Sequence, residues 1–421
     1  MISKHKRTIL IFLALILVLV AAVIWLPDRS NPGGENTTVS LSEEASKSTS
    51  NPTALPVTAS AEPSSVPTNS AEQVMTVSSE DPSLANVYAD FFPIGAAIEP
   101  NQTEGLTSEL LKKQVNWIAA ENAMKPDAIE PSEGVFTWDR ADTIVAFAKA
   151  NGMELRFHTL VWHNQTPDWF FRDDQDLPMI DETNPKKREA NKALLLKRLD
   201  TYIATVVSRY KNDISSWDVV NEVIEPGDPD GIRASNWYKI TGTDYIETAF
   251  RAARKAGGPD IKLYINDYGT DNPVKRDFLY DLVNDMLAKG VPIDGVGHQT
   301  HVNIEVPSIA NIIESLQMFH DLGLDNQITE LDMSLYVYND LSDVGYEVPK
   351  EILDLQAERY RELFDALRAH KDLLSGVMFW GISDDHTWLS TFPITRTEAP
   401  LLFDKQLQAK PAFQAITEFS K

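Results

Sequence analysis

Glu222 closes the apolar run WDVVNEVI (Trp217 to Ile224) beside Asn221, and Glu330 stands two residues before Asp332 in QITELDMSL (Gln327 to Leu335). An apolar run rarely ends in an amide and a carboxylate unless something polar is held there. Two carboxylates brought into one pocket can divide the work of acid and base, because like-charge repulsion raises the pKa of one of them and keeps it protonated. The other stays ionised. Cleavage of a glycosidic bond needs this pair: an acid to protonate the leaving oxygen and an anion to meet an oxocarbenium-like centre. At a separation of about 5 Å the anion attacks the sugar and forms an ester with retention of configuration. The repulsion then vanishes, and the first carboxyl can act as base toward water.

Competing chemistries find less support. No GxSxG nucleophile elbow occurs. His158 and His163, or His298 and His301, could be imagined as metal ligands, but no HxH or HExxH pair is present and there is no cysteine. No metal or cofactor is therefore expected. The 38 basic and 62 acidic side chains give a net charge of -24, which repels phosphate backbones and makes nucleic acid an unsuitable partner.

The elements that would position these carboxylates begin near Leu84. Eight short β-type runs follow: Phe92 to Ile98, Asn116 to Ala120, Glu154 to Leu160, Ser216 to Asn221, Lys262 to Asp267, Asp294 to Gln299, Gln327 to Asp332 and Gly376 to Trp380. Amphipathic segments alternate with them. Leu195, Leu199, Tyr202, Ile203, Val206, Val207 and Tyr210 fall on one helical face, and Phe278, Leu279, Leu282, Val283, Met286 and Leu287 form another stripe that stops at Gly290. Further helical segments follow Gln102, Arg140, Gly242, Pro307, Pro349 and Gln408. Eight alternations predict a (β/α)8 TIM barrel. A doubly wound open sheet would alternate in the same way, but Gly95 is followed by Ala96 and Ala97, with no glycine-rich phosphate loop. Nearly every run ends in polar residues, at the rim where such a barrel builds its active site. Side-chain alternation places Asp332 on the side of Glu330, and His301 on that of Gln299. Contact of Asp332 and His301 with each other or with Glu330 is expected, keeping Glu330 ionised and oriented.

Residues 1–26 carry Lys4, His5, Lys6 and Arg7 before an uncharged apolar run from Ile9 to Leu26, the layout of a signal peptide or a membrane anchor. Both would place the rest of the chain outside the cytoplasm, secreted or tethered to the membrane's outer face. Residues 27–83 are rich in Ser, Thr and Pro and read as a disordered linker. The domain is expected over 84–421, as a monomer.

From Leu84 onward the chain resembles glycoside hydrolase family 10, the endo-β-1,4-xylanase family. The motifs that carry this are ENAMKPDAIEPSEGVFTWDRAD (Glu121 to Asp142), HTLVWHNQTPDW (His158 to Trp169), WDVVNE (Trp217 to Glu222), YINDY (Tyr264 to Tyr268), GVGHQTH (Gly295 to His301), ITELD (Ile328 to Asp332) and FWGISDDHTWL (Phe379 to Leu389). The resemblance implies an endo-acting retaining enzyme on xylan and xylo-oligosaccharides, with Glu222 as acid/base and Glu330 as nucleophile. It implies that Asn221 bonds the 2-hydroxyl of the sugar being cleaved and that Lys125, His158, Trp162, Gln299 and His301 line its subsite. Glu121 and Asn122 would hold the next sugar toward the non-reducing end. Trp380 and Trp388 would form an apolar wall, and Tyr268 would lie on the leaving-group side. Phe157 departs from the pattern, standing where the family commonly has glycine. Two alternatives stay open: a mixed-specificity β-1,4-glucanase, and a barrel that binds glycan without cleaving it, which would be expected to have lost one of the two carboxylates. Trp138, Trp169 and Trp217 are expected in the core, and Asp384 and Asp385 as a loop cap.

Overall fold

A computed structural model describes residues 76–419. The expected signal or anchor (1–26) and most of the expected linker lie outside them. Among the described residues no helix is long and apolar enough to cross a membrane.

All the strands of the central sheet run parallel. They are β1 (Ile94–Ile98), β2 (Trp117–Ala120), β3 (Glu154–Phe157), β4 (Ser216–Asn221), β5 (Lys262–Asp267), β6 (Gly295–His298), β7 (His301–Asn303), β8 (Asp325–Ser334) and β9 (Val377–Phe379). The order is β6-β5-β4-β3-β2-β1-β9-β8, and pairing of β6 with β8 closes the ring, so eight strands form the expected TIM barrel. The ninth strand, β7, arises from a break. Thr300, the residue just past the expected sixth run, has φ +61°, and after it His301–Asn303 pairs with Asp332–Ser334 at the far end of β8. The third run is shorter than expected and ends at Phe157. Beyond it the chain stays beside β4 through single contacts, Leu160 N donating to Asp218 O (2.9 Å).

Among the described residues the eight helices of seven or more residues cover the ring: α1 (Gly105–Gln114), α2 (Asp139–Ala150), α3 (Pro185–Tyr210), α4 (Asp244–Gly257), α5 (Pro273–Ala288), α6 (Ile309–Asp321), α7 (Lys350–Ala369) and α8 (Pro411–Thr417). α3 and α5 start alike. Asn184 and Asn272 cap them by accepting from the backbone N–H groups two and three residues on, and a proline follows at the first helical position, where no N–H is needed. The stripe expected on α3 is buried throughout. Gly290, with φ +69°, stops the turn after α5.

The inside of the ring is layered. Trp117, Ala119 and Met378 form an apolar floor. Gly95 is required there, because a Cβ would meet Met378 Cε at 2.8 Å and Trp117 O at 2.9 Å. Above the floor lies a buried polar layer in which Arg156 bonds both oxygens of Asp218 and also Gln327, with its guanidinium 4.6 Å from the centre of the Tyr264 ring. The strands' outward faces pack against the helices. Phe157 points there and stacks on buried Trp217 with ring centres 4.7 Å apart, so the departure from glycine fills the outer core and not the site. Trp138 and Trp169 pack half-buried against that core. Asp384 accepts from Leu401 N (2.8 Å) and pairs with buried Lys410 (2.8 Å), tying the loop after β9 to the start of α8.

Candidate active site

Glu330 projects from β8 into the ring and is 4% exposed. Its Oε1 accepts from Asn266 Nδ2 of β5 (2.7 Å) and lies 3.7 Å from His158 Nδ1, while its Oε2 is 3.2 Å from His301 Nε2. His301 places its other nitrogen 2.9 Å from Asp332 Oδ2, so one imidazole sits between two carboxylates. Burial disfavours charge on that ring, but Asp332 and Glu330 outweigh it and raise His301 to about 10. The ring is therefore a cation at neutral pH. Burial likewise opposes ionisation of Glu330, yet His158 and His301 prevail and hold its carboxyl below the usual range. Trp388 Nε1 donates to Asp332 Oδ2 (2.8 Å) and fixes the far end of the chain.

Glu222 follows directly on β4 with φ +57°, a left-handed conformation that costs a non-glycine residue free energy and is common at functional sites. Its backbone holds the strain: the N–H donates to Asn266 O (2.8 Å) and the carbonyl accepts from Arg233 Nε (2.7 Å). Its side chain accepts from Gln299 Nε2 at Oε1 (3.1 Å), and Oε2 lies 3.8 Å from His163 Nδ1. Burial, aided by the Arg233 charge, lowers His163 to about 4, so a neutral ring faces Glu222 across the neutral range.

An unbroken bridge joins the two carboxylates. Asn266 Nδ2 donates both to Glu330 Oε1 and to Asn221 Oδ1 (2.8 Å), Gln299 Nε2 donates to the same Asn221 oxygen (3.2 Å), and Gln299 also reaches Glu222. Both acids thus face one opening from opposite arcs of the ring. Beneath them His158 Nδ1 lies 3.1 Å from Asp218 Oδ2. Burial opposes the charge of Asp218, but Arg156 and His158 keep its carboxyl below the usual range.

A second group lies at the end of β2. Lys125, 5% exposed, donates to Asn122 Oδ1 (3.0 Å) and Gln165 Oε1 (2.9 Å) and stands 4.6 Å from the centre of the Trp162 ring. Burial depresses its pKa despite the nearby Glu330, Glu121 and Glu222. Asn122 Nδ2 donates to Glu99 (2.8 Å), and Glu121 meets His386 Nε2 at 2.8 Å. Buried Trp380 presents its ring near His158 (5.0 Å) and His301 (6.4 Å), with Trp388 5.0 Å from His301. Tyr268 follows β5 and accepts from Arg233 Nη2 at its hydroxyl (2.8 Å).

Every residue expected to act on or bind substrate lies in this connected region. Several of its members were not singled out: Asp218, Arg233, Gln165 and His386, while His163 was considered only as a metal ligand and Asn266 only as one of the polar strand ends. Asn266 and His386 stand inside quoted motifs, and Asp218 and Arg156 interrupt apolar strands at inward-facing positions. Arg233 carried no comparable signal. His298 is buried and bonded to Thr270 and Asn326, apart from the two carboxylates. Among the described residues no group of three or more His, Asp or Glu side chains is arranged to hold a metal ion.

A parallel (β/α)8 barrel with two bridged glutamates at its mouth, ringed by amides, histidines and tryptophans, has the architecture of a barrel glycosidase. Comparison with known proteins narrows this. The profile of glycosyl hydrolase family 10 matches residues 83–419, and the chain belongs to that family. It is 64% identical over 345 residues to a thermostable celloxylanase of Thermoclostridium stercorarium, covering 82% of this chain and 89% of that protein. It is 52% identical over 347 residues to endo-1,4-beta-xylanase A of Halalkalibacterium halodurans, covering 80% and 86%. The crystal structure of xylanase B from Clostridium stercorarium F9 superposes with a TM-score of 0.80 at 65% identity, over 80% of this chain and 99% of that one.

Proposed function

We propose that this protein is an endo-acting, retaining β-1,4-xylanase that cleaves internal bonds of xylan by double displacement. The observation that carries the reading is the bridge from Glu330 through Asn266, Asn221 and Gln299 to Glu222, which sets two carboxylates to face one substrate. Glu330, ionised beside the His301 cation, attacks the anomeric carbon while Glu222 protonates the departing oxygen. The C–O bond to the leaving sugar breaks as the ester to Glu330 forms. Glu222 then removes a proton from water, which displaces Glu330 and returns both groups to their starting states.

The same residues explain placement of the sugar. Asn221 spends its carbonyl oxygen within the bridge, which leaves its amide nitrogen for the 2-hydroxyl. Lys125, His158, Gln299 and His301 supply polar contacts around that ring, Trp162, Trp380 and Trp388 its apolar walls, and Glu121 and Asn122 the next sugar toward the non-reducing end. Tyr268 serves the leaving-group side. Asp332 orients His301 and acts on Glu330 through it.

A second reading, mixed action on β-1,4-glucan, is favoured by the relative named as a celloxylanase. Incubation with xylan and with carboxymethyl cellulose separates the two. Oligosaccharides from xylan alone support a xylanase, release from both supports mixed specificity, and release from neither refutes both. The catalytic domain is assigned to residues 84–421, carried on a linker of residues 27–83 and exported by residues 1–26. Work outside the cytoplasm suits a polymeric substrate that does not cross a membrane. N-terminal sequencing of the mature protein distinguishes a cleaved signal from a retained anchor, and its sedimentation tests the expected monomer.

A further inference from the structure

Lys275 sits where elementary electrostatics disfavours it. It is in the first turn of α5, the positive end of the helix dipole, with its side chain 6% exposed. A buried cation there needs compensation, and two groups supply it. The Nζ pairs with Asp267 Oδ1 (2.8 Å), a carboxylate at the end of β5 that is itself fully buried, and it stands 3.0 Å from the centre of the Tyr268 ring. Asp267 also accepts from Tyr268 N (3.0 Å) and, through its other oxygen, from Ile224 N (3.0 Å), two residues beyond Glu222. The Tyr268 hydroxyl is held separately by Arg233, whose Nε bonds the Glu222 carbonyl.

We propose that Lys275 is a positioning residue for the leaving-group side of the cleft: it seats the Tyr268 ring from one face so that the other can receive a sugar, and through Asp267 it locks that platform to the turn carrying Glu222. This rests on the reading of the protein as a glycosidase with Tyr268 on the leaving-group side. A cation over an aromatic face is attractive and, in a desolvated site, fixes the ring's tilt more firmly than apolar packing alone. Lys275 does not touch the reacting atoms. Its effect should appear only when the leaving group is large enough to rest on Tyr268.

The test compares Lys275→Met, Lys275→Arg, Tyr268→Ala and the Lys275→Met/Tyr268→Ala pair on two substrates. One is xylotetraose, whose leaving portion is a sugar. The other is β-xylobiosyl fluoride, whose leaving atom is too small to reach Tyr268. Turnover of both by the unsubstituted protein checks the underlying reading, and the ratio between variants checks this one. Lys275→Met is expected to lower kcat/KM for xylotetraose about tenfold, mainly through KM, and to leave the fluoride within about twofold, as loss of binding on one side only would. Lys275→Arg, which keeps a cation over the ring, should restore most of the xylotetraose rate. With Tyr268 already truncated, Lys275→Met should cost less than about twofold more, the coupling expected of residues that act as a unit. Equal losses on both substrates, or losses that simply multiply in the double variant, would overturn the proposal. Lys275→Arg keeps the buried charge pair, so failure of Lys275→Met to fold leaves a test in place: Lys275→Arg losing both substrates equally would also contradict it.

Discussion

The imidazole of His301 carries the electrostatics of the site, since it holds Glu330 and Asp332 together while each of them keeps it charged. Replacing it with glutamine removes that cation and leaves the burial of Glu330 opposed by His158 and the Asn266 amide. The acidic limb of the kcat/KM profile should then move to higher pH, because the nucleophile must lose its proton to react. Stability should respond as well. His301 is raised from an ordinary 6.5 to about 10, so its contribution is complete below about pH 6.5 and is lost as pH climbs through about 10. The unfolding midpoint of the parent should fall over this interval more steeply than that of His301→Gln, as read by calorimetry across pH. Glu222→Ala should slow xylan cleavage by about 10²- to 10⁴-fold and cost much less in kcat/KM for substrates whose leaving groups need no protonation, since these lose Glu222 only as base in the second step. Glu330→Ala should abolish turnover of all of them, and near-normal rates would refute the assignment of nucleophile.

At the scale of elements, the strands succeed by bringing polar groups from distant parts of the chain to within bonding distance. Gly297 of β6 illustrates the tolerance: a Cβ there would meet Asn266 Oδ1 at 2.2 Å and Arg156 Nη2 at 2.9 Å. Gly297→Ala should therefore push Asn266 off the bridge. The expected outcome is a fall in kcat of tenfold or more with a stability loss of about 1–3 kcal/mol, measured by steady-state kinetics and denaturant titration. Strands and helices were legible in the sequence because their apolar periods are long and their caps conventional, as in α3 with Asn184 and Pro185. The polar ends of the runs likewise marked the rim. The break at Thr300 was not legible, since a non-glycine residue in the left-handed region leaves no signature. The bridge was hidden for another reason. Asn266 acts on Asn221 and Glu330, 45 and 64 residues away, and only the curvature of the ring brings the three together.

For the molecule as a whole, the family match over 83–419 and the closed ring agree on where the catalytic unit lies. Chain lacking residues 1–75 should fold and keep kcat/KM on xylan within about twofold, since among the described residues the site draws on none before Glu99. A large loss on truncation would show that the leader contributes to the cleft. Neither the identity of the polymer nor the cellular address followed from residue chemistry. Xylan entered through resemblance, and the apolar leader is compatible with two fates. What chemistry alone supplied was the pair of acids and the stereochemical outcome they dictate. That outcome is also the most direct test: proton NMR of the first product released from a xylo-oligosaccharide, recorded before mutarotation. The account predicts the β-anomer, formed by two successive displacements at one carbon. Initial release of the α-anomer would mean a single displacement by water and would contradict a covalent role for Glu330.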